Sequence, residues 1–312
     1  MTETIRFDGQ VAIVTGAGVG LGRSHALQLA ARGAKVVVND PGVATDGAAG
    51  QVTVANSVVE EIIGNGGEAI AHRADVSSIE DVADMVGQAT EKWGRIDIVI
   101  NNAGILRDKT FAKMSMDDFR KVVDVHLIGS ANVTHACWPI MRGQKYGRVL
   151  LTSSSSGLYG NFGQSNYGAA KAAMVGLMNV LAQEGARDDI RVNTLAPTAA
   201  TRMTEELLPD EALALLAPES ISPGVLYLVS KDAPTQFILG AGAGCYAQTR
   251  IYETPGIVLL DDENTPEAVA AAFADIQSPD NQQPMPNAFS QTSKFAENAA
   301  KARGLTLSWG KE

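Results

Sequence analysis

The stretch that decides the fold class lies near the amino terminus and reads Thr15-Gly16-Ala17-Gly18-Val19-Gly20-Leu21-Gly22. An apolar run at 11–15 leads into it, and residues 23–32 continue with helical spacing. Glycines permit a sharp turn, let the backbone approach a pyrophosphate without intervening Cβ atoms, and let the N–H groups of the helix face its charge. This order predicts a dinucleotide site with contacts from Gly16, Val19, Gly20, Leu21 and Gly22. A turn that only needs positive φ is the alternative interpretation.

An acidic residue, Asp40, follows the second apolar run at 35–39, about twenty residues after the glycine turn. A carboxylate there accepts hydrogen bonds from both adenosine ribose hydroxyls and repels a 2′-phosphate, so NAD is favoured over NADP. No arginine or lysine lies within the turn before Gly22 to reverse that preference. The alternative is a solvated aspartate that opens the turn Asp40-Pro41-Gly42.

Short apolar runs recur between longer segments with helical spacing. The predicted strands are 11–15, 35–39, 69–73, 96–100, 148–153, 191–195 and 237–239. Several are continuously apolar, as in Ile98-Val99-Ile100, which strands buried on both faces require. The alternation predicts an α/β fold with a doubly wound parallel sheet, the Rossmann fold, in one dinucleotide-binding and catalytic domain over residues 1–245.

The pattern loosens after Gly244. Helices are predicted at 266–276 and 291–303, with a polar, proline-rich connector at 278–286 between them. Residues 246–312 are too few and too polar to hold a core of their own. We therefore expect a C-terminal extension that packs on the same domain.

A second signal is Ser154 followed by Tyr167-Gly168-Ala169-Ala170-Lys171. Residues four apart lie on one face of a helix, so Tyr167 and Lys171 can point together into a cleft at the carboxyl ends of the strands. A phenol with an ordinary pKa of about 10 is a poor base near neutrality, and an adjacent ammonium is expected to lower that pKa. Tyr167 can then take a hydroxyl proton while hydride leaves for nicotinamide, Ser154 can hold the substrate oxygen, and Lys171 can bond the nicotinamide ribose. An amphipathic surface pair is the alternative for Tyr167 and Lys171 alone.

Composition and charge argue against several other classes of protein. The net charge of −10 disfavours nucleic acid and anionic membranes as partners, because both repel an acidic protein. No stretch approaches the ~18 apolar residues of a membrane span and the amino terminus is polar, so we expect a cytoplasmic protein with a small-molecule substrate. Cys137 and Cys245 are expected to be free thiols. No metal site is expected, because no ligand spacing links the cysteines or carboxylates to the histidines at 25, 72, 126 and 135.

The ordered motifs resemble those of the short-chain dehydrogenase/reductase family. Residues 15–22 match its Thr-Gly-x-x-x-Gly-x-Gly turn, Asp75-Val76 its adenine-contacting pair, and Asn101-Asn102-Ala103-Gly104 its Asn-Asn-Ala-Gly turn. Ser154, Tyr167 and Lys171 match its catalytic residues. The resemblance spans residues 7 to about 244 and implies a homodimer or homotetramer. It also implies NAD contacts by Asp75, Val76, Asn102, Ala103, Gly104, Tyr167, Lys171, Pro197 and Thr201.

Two positions depart from the family pattern. Residues 125–129 read Val-His-Leu-Ile-Gly, so His126 stands where the family usually has an asparagine in a proton-relay role. An imidazole also donates and accepts hydrogen bonds, which makes His126 a candidate catalytic residue, with a core histidine at a helix interface as the alternative. After the sixth predicted strand, Pro197-Thr198 replaces the usual Pro-Gly, and the loop that follows is shorter than usual.

Several longer stretches resemble the dehydrogenase domain of peroxisomal multifunctional enzyme type 2, which is similar to 17β-hydroxysteroid dehydrogenase type 4. They include residues 102–108, 125–129, 156–164 and 265–269. The resemblance implies oxidation of a (3R)-3-hydroxyacyl-CoA to a 3-oxoacyl-CoA with NAD, in a stand-alone enzyme of lipid metabolism. Alternatives are a 17β-hydroxysteroid dehydrogenase, a 3-oxoacyl-carrier-protein reductase and a non-catalytic nucleotide sensor. Asp40 argues against the NADPH-driven reductase, and the presence of Ser154, Tyr167 and Lys171 together argues against the sensor.

Overall fold

Within residues 4–42, 53–199 and 215–308, which the computed structural model describes, eight strands form one sheet. They belong to the first of two compact units, Met1–Thr249 and Arg250–Glu312. The strands are β1 (Val11–Thr15), β2 (Lys35–Asn39), β3 (Glu68–His72), β4 (Ile98–Asn101), β5 (Gly147–Thr152), β6 (Ile190–Pro197), β7 (Ile238–Gly242) and β8 (Cys245–Thr249). Their order across the sheet is β3-β2-β1-β4-β5-β6-β7-β8.

The sheet is doubly wound about β1. This strand pairs in parallel with β2 on one side and with β4 on the other, and the strand order reverses there. In such sheets a ligand binds in the crevice at the carboxyl ends of the strands, next to the point of reversal. The predicted α/β fold class is therefore confirmed. A ligand site in this fold is expected among the loops after β1, β2, β4 and β5.

Helices cover both faces of the sheet. Among the described residues of this unit, the α-helices are α1 (Gly20–Ala31), α2 (Val54–Gly64), α3 (Ile79–Trp93), α4 (Met116–Val123), α5 (Gly129–Gln144), α6 (Ser155–Tyr159), α7 (Ser165–Gly185) and α8 (Ser222–Leu228). Leu29 of α1 packs in one core cluster with Val36 of β2, whereas Met174 of α7 packs in the other cluster with the adjacent Val37. Successive strand residues thus enter opposite cores, which is why the runs are continuously apolar.

The edge of the sheet differs from the prediction. β8 runs antiparallel to β7, beyond the last predicted strand at 237–239. It lies at the edge of the sheet, and most of its side chains are exposed. An exposed strand of this kind has no apolar run, so the hydrophobic pattern did not indicate it.

The second unit is built from short elements. A strand at β9 (Tyr252–Glu253) pairs with β10 (Gln283–Pro284), which lies inside the segment predicted as a connector. The predicted helix at 266–276 is interrupted at Ala272, giving α9 (Pro266–Ala271) and α10 (Phe273–Ile276), and the last helix is α11 (Ala288–Ala302). None of the helices described in either unit is long and apolar enough to cross a membrane.

Candidate active site

The glycine turn between β1 and α1 packs directly on the segment that follows β4. Gly16 has a φ of +61°, and a Cβ atom on it would lie 2.8 Å from the Cα atom of Ala103. Asn102 donates from Nδ2 to the carbonyl oxygens of Thr15 and Gly16 at 3.1 and 3.0 Å. The Thr15 hydroxyl oxygen accepts the N–H groups of Asn102 and Ala103 at 3.0 and 3.1 Å. Two segments predicted to contact the cofactor therefore form one hydrogen-bonded unit.

The amino-terminal end of α1 has the properties of an anion site. Val19 is the N-cap residue and makes no side-chain capping hydrogen bond, and the first turn contains no acidic residue. The first N–H groups of a helix have no acceptor within the helix, so they can bind an anion. Gly20 has a φ of +56°, and no described atom lies within 4 Å of the position its Cβ would take. An uncapped helix end beside open space fits a pyrophosphate group.

Asp40 lies just after β2, and its carboxylate points at the glycine turn. Oδ2 accepts the N–H of Gly18 at 3.0 Å, and Oδ1 accepts that of Gly42 at 2.8 Å. The residue is 8% exposed, so it is not the solvated aspartate of the alternative interpretation, although it does brace the turn at Gly42. Arg23, the first basic residue after the turn, is ion-paired with Glu61. The carboxylate of Asp40 therefore lies beside the glycine turn, and the guanidinium of Arg23 is paired with another acid.

The predicted adenine-contacting pair, Asp75-Val76, follows β3. The Asp75 carboxylate accepts the N–H and the hydroxyl of Ser77 at 2.9 and 2.6 Å. Burial raises the pKa of Asp75, but these hydrogen bonds outweigh it and hold the pKa below its usual range. Val76 is buried, and its carbonyl accepts Nδ2 of Asn132 on α5 at 3.0 Å. The Asp75 carboxylate therefore shapes its own loop, which is anchored to the helix layer.

Ser154, Tyr167 and Lys171 meet at the carboxyl end of β5. Ser154 is the N-cap of α6, and its Oγ accepts the N–H of Ser156 at 3.2 Å. Tyr167 and Lys171 lie one turn apart on α7, with the Lys171 Nζ 5.7 Å from the centroid of the Tyr167 ring. Nζ donates a hydrogen bond to the carbonyl of Thr152 at 2.5 Å. The structure brings these three side chains, which the sequence predicted as reacting groups, to the same end of the sheet.

Close packing of α6 on α7 holds the serine against the tyrosine. Ser153 Oγ donates to the carbonyl of Lys171 at 2.7 Å. A Cβ atom on Gly157 would lie 2.6 Å from the carbonyl carbon of Lys171, so a larger residue there would separate the helices. The Ser154 hydroxyl lies close enough to Tyr167 to act on the pKa of its phenol, which it lowers against the larger effect of burial. The two helices thus form one support for the candidate reacting groups.

Burial governs protonation in this cluster. It raises the pKa of Tyr167; the hydrogen bond with Ser154 opposes that rise, and the charge of Asp108 adds to it. Burial also lowers the pKa of Lys171 to about 7. A lysine with that pKa is only about half charged near neutrality. The expectation that Lys171 lowers the pKa of Tyr167 is therefore wrong for this structure, because the cost of burying a phenolate is the larger effect.

His126 lies in a π-helical turn, Asp124–Ile128, between α4 and α5. Its Nε2 lies 2.8 Å from the carbonyl oxygen of Ile105 and 3.1 Å from the nitrogen of the same residue. Its ring meets that of Tyr167 edge to face, with centroids 5.3 Å apart and planes at 86°. Burial, aided by the charge of Lys171, lowers the pKa of His126 to about 3, so the imidazole is neutral near pH 7. The residue is both buried at a helix junction and in contact with the candidate base.

Sequence reasoning missed several supporting groups. The Thr152 carbonyl that binds Lys171 could not have been found, because every residue carries a carbonyl. Gln164 links two loops, accepting from the Ser156 hydroxyl at 2.7 Å and donating to Asp108 at 2.6 Å. Gln164 lies in a stretch that carried the resemblance, but a glutamine has no spacing that predicts its partners.

Exposed aromatic side chains surround the elements that carry Ser154 and Tyr167. Phe111 and Phe162 are both exposed, the latter by 88%. Their segments are joined by the N–H of Lys109, which donates to the carbonyl of Gly163 at 2.9 Å. Tyr159, at the end of α6, is exposed as well. These rings provide apolar surface next to the candidate site.

The loop after β6 is described only at its start. Pro197 ends β6, and the N–H of Thr198 donates to the carbonyl of Ala241 on β7 at 2.8 Å. Pro197 therefore lies at the same edge of the sheet as the other candidate contacts. Thr201, the second predicted nicotinamide contact in this loop, lies outside the described residues.

Comparison with known sequences identifies relatives over most of the chain. The family model described as short chain dehydrogenase matches residues 10–212. The chain is 46% identical over 276 residues to peroxisomal multifunctional enzyme type 2 of Drosophila melanogaster, covering 87% of this chain and 46% of that enzyme. It is also 46% identical over 268 residues to a short-chain type dehydrogenase/reductase of Mycobacterium tuberculosis, covering 86% of this chain and 93% of that protein.

Solved structures give the same grouping. The full-length Drosophila multifunctional enzyme superposes with a TM-score of 0.81 at 38% identity, over 95% of this chain and 50% of that one. A 7α-hydroxysteroid dehydrogenase complexed with NADH and 7-oxo glycochenodeoxycholic acid gives 0.69 at 31% identity, over 77% of this chain and 95% of that one. The chain spans between 30% and 62% of the length of the multifunctional relatives it matches. Together with the sheet and the glycine turn, these similarities show that the chain belongs to the short-chain dehydrogenase/reductase family and is an oxidoreductase that resembles multifunctional enzyme type 2.

Proposed function

We propose that the protein oxidises a (3R)-3-hydroxyacyl-CoA to the 3-oxoacyl-CoA with NAD. The observation that carries the proposal is the cluster of Ser154, Tyr167 and Lys171, in a chain 46% identical to a multifunctional enzyme type 2. The resemblance described from the sequence implies this substrate. Exposed rings beside the site, including Phe162, offer apolar surface for an acyl chain.

The proposed cofactor is NAD rather than NADP. In this proposal the glycine turn and the uncapped end of α1 hold the pyrophosphate, and Asp40 holds the adenosine ribose. The Asp75-Val76 pair contacts the adenine, and the segment after β4 contacts the nicotinamide half together with Lys171. Bound NAD supplies the hydride acceptor for the oxidation.

The side chains of the cluster handle the proton. Ser154 holds the substrate oxygen, and Tyr167 in its phenolate form takes the hydroxyl proton as the carbonyl forms. Burial disfavours the charged forms of both Tyr167 and Lys171. In this proposal His126 orients the phenol through its edge-to-face contact.

A substrate panel tests the proposal. Purified protein with NAD is assayed against (3R)- and (3S)-3-hydroxyacyl-CoA esters and against 17β- and 7α-hydroxysteroids, following NADH formation. We expect the (3R) esters to exceed the others by about 100-fold in kcat/KM, because an active site discriminates through polar groups that only one isomer satisfies. Efficient turnover of a steroid with none of the thioesters would contradict the proposed substrate.

The control variant is Tyr167→Phe, which keeps the ring and removes the acidic hydroxyl. Loss of a positioned acid or base costs roughly 100- to 10,000-fold in rate, and we expect a loss of that size in kcat with NAD binding retained. A variant that keeps the parent kcat would remove Tyr167 from the mechanism.

We also propose that the enzyme is a cytoplasmic homodimer or homotetramer. The multifunctional relatives are named as peroxisomal enzymes, so the location of this chain has to be measured in its own cell by fractionation. Sedimentation at micromolar concentration measures the assembly, and a clean monomer would contradict it.

A further inference from the structure

His72, the last residue of β3, contacts both segments that would hold the adenosine half of the cofactor. Its carbonyl accepts the N–H of Asp40 at 2.9 Å. Its ring Nδ1 accepts the N–H of Ala74 at 3.0 Å, and Ala74 directly precedes the Asp75-Val76 pair. Asn39 adds a parallel link, donating from Nδ2 to the carbonyl of Ala74 at 3.0 Å. One residue thus holds Asp40 through its backbone and the Asp75 loop through its side chain.

The imidazole makes this contact in one tautomer. Because Nδ1 accepts the N–H of Ala74, the proton of the neutral ring sits on Nε2. Nε2 lies 3.0 Å from Oδ2 of Asp84 on α3 and donates to it. Gln88, one turn along the same helix, donates to the same carboxylate oxygen at 2.9 Å. The His72 side chain is 11% exposed and that of Asp84 is 64% exposed, so a surface carboxylate fixes the tautomer of a buried ring.

The remaining anchors of the Asp75 loop lie on helices. The N–H of Asp75 donates to Oδ2 of Asp81 at 3.1 Å, and the carbonyl of Val76 accepts from Asn132 at 3.0 Å. These bonds attach the loop to α3 and α5. The hydrogen bond to the His72 ring attaches it to the end of β3, and the carbonyl of His72 in turn accepts the N–H of Asp40.

We propose that His72 is a positioning residue that sets the spacing between Asp40 and the Asp75-Val76 pair, and thereby the affinity for the adenosine half of NAD. This inference rests on the proposed cofactor. It concerns binding of adenosine diphosphate ribose and leaves the reacting cluster untouched. Lys171 binds the carbonyl of Thr152 at the end of β5, and three strands, β2, β1 and β4, separate β5 from β3 in the sheet.

The test measures ADP-ribose and nicotinamide mononucleotide binding by calorimetry for the parent, His72→Phe and His72→Asn. Phenylalanine keeps a flat ring and removes the acceptor, whereas the asparagine Oδ1 stands close to where Nδ1 was. We expect His72→Phe to bind ADP-ribose about 5- to 10-fold more weakly, the effect of one lost hydrogen bond, and His72→Asn to stay within about 3-fold of the parent. Binding of the mononucleotide should not change, and in turnover the KM for NAD should rise while kcat at saturating NAD stays constant.

A second variant, Asp84→Ala, keeps the test decisive if His72→Phe does not fold. Its side chain is largely exposed, and its removal frees the other tautomer, so we expect ADP-ribose affinity to fall about 2- to 3-fold. Unchanged ADP-ribose affinity in His72→Phe, or in Asp84→Ala where the first variant is unfolded, overturns the inference. Equal losses for both half-ligands overturn it too, since they indicate general disruption. If the parent binds ADP-ribose and loses affinity as expected but oxidises no hydroxyacyl-CoA, the proposed function fails and this inference stands.

Discussion

Asp40 accepts hydrogen bonds from the backbone N–H groups of Gly18 and Gly42. The contact with Gly18 explains why this position is a glycine although its φ is not positive. A Cβ atom on Gly18 would lie 2.8 Å from Oδ2 of Asp40, so any larger residue would displace the carboxylate from its N–H donor. Glycine at this position therefore serves close approach rather than left-handed backbone geometry. At the residue scale, the glycine turn and the carboxylate of Asp40 therefore depend on each other for their positions.

Two substitutions at Asp40 separate its charge from its hydrogen bonds. Asp40→Asn keeps one of the two oxygens that accept the N–H groups of Gly18 and Gly42 and removes the repulsion of a 2′-phosphate, whereas Asp40→Ala removes both oxygens. We expect the ratio of kcat/KM for NAD over NADP to fall at least about 10-fold in both variants, the effect of one charged hydrogen bond. The alanine variant should also lose about 1–3 kcal/mol in unfolding free energy, because two buried N–H groups lose their acceptor, and the asparagine variant should lose less, because one of the two keeps its acceptor. A ratio that stays at the parent value in both would remove Asp40 from cofactor choice.

At the scale of an element, the glycine turn and the start of α1 pack against Asn102 in the segment after β4. Gly22 is helical, and a Cβ atom on it would lie 2.6 Å from Nδ2 of Asn102 and 2.9 Å from the carbonyl carbon of Gly16. The same Asn102 nitrogen donates to the carbonyl of Gly16. A side chain at 22 would therefore push the helix off the turn that it completes.

A pair of glycine-to-alanine changes tests this arrangement. Gly22→Ala should weaken NAD binding at least about 10-fold and cost roughly 1–3 kcal/mol of stability, as overpacking does. Gly87→Ala is the matched control, since Gly87 lies within α3 with open space where its Cβ would point, and alanine there should stabilise the protein by about 0.5–1 kcal/mol. Thermal and urea unfolding with NAD titration measure both. Equal effects at the two positions would show that helix propensity, not the contact with Asn102, decides the outcome.

At the scale of the whole molecule, two buried histidines make the free energy of unfolding depend on pH in the acidic range. Burial lowers the pKa of both His25 and His126 to about 3, against an ordinary 6.5. Below pH 6.5 the unfolded chain binds these protons and the folded chain does not, until pH approaches 3. The free energy of unfolding is therefore unaffected by these two groups above pH 6.5. It falls as the pH drops from 6.5 toward 3, by up to about 1.4 kcal/mol per pH unit for each histidine.

His25→Gln isolates one of these contributions. Urea unfolding of the parent and the variant from about pH 7 to about pH 5 should show a pH slope that is shallower in the variant by up to about 1.4 kcal/mol per unit. His135 is exposed, so His135→Gln serves as the control and should keep the parent slope. A variant at 25 with the full parent slope would place the acid sensitivity elsewhere.

The sequence alone determined the order of the elements as far as β7 and the glycine turn, and it predicted Ser154, Tyr167 and Lys171 as the reacting residues. These rest on local signals, because the hydrophobic period and glycine positions act over a few neighbouring residues. Even so, it did not indicate β8, whose exposed edge position leaves no apolar run to read. It also could not indicate the π-helical turn that brings His126 to Ile105, since that turn makes contacts with a loop 21 residues away.

Only the tertiary structure decided how the chemical groups are charged. Spacing placed Lys171 beside Tyr167 and suggested an ammonium that lowers the pKa of the phenol, whereas burial raises the pKa of Tyr167 and brings that of Lys171 to about 7. The same holds for His72, whose tautomer depends on Asp84 from another element. The physical reason is that residue type and spacing along the chain are local, whereas desolvation and hydrogen-bond partners come from segments that meet only after folding.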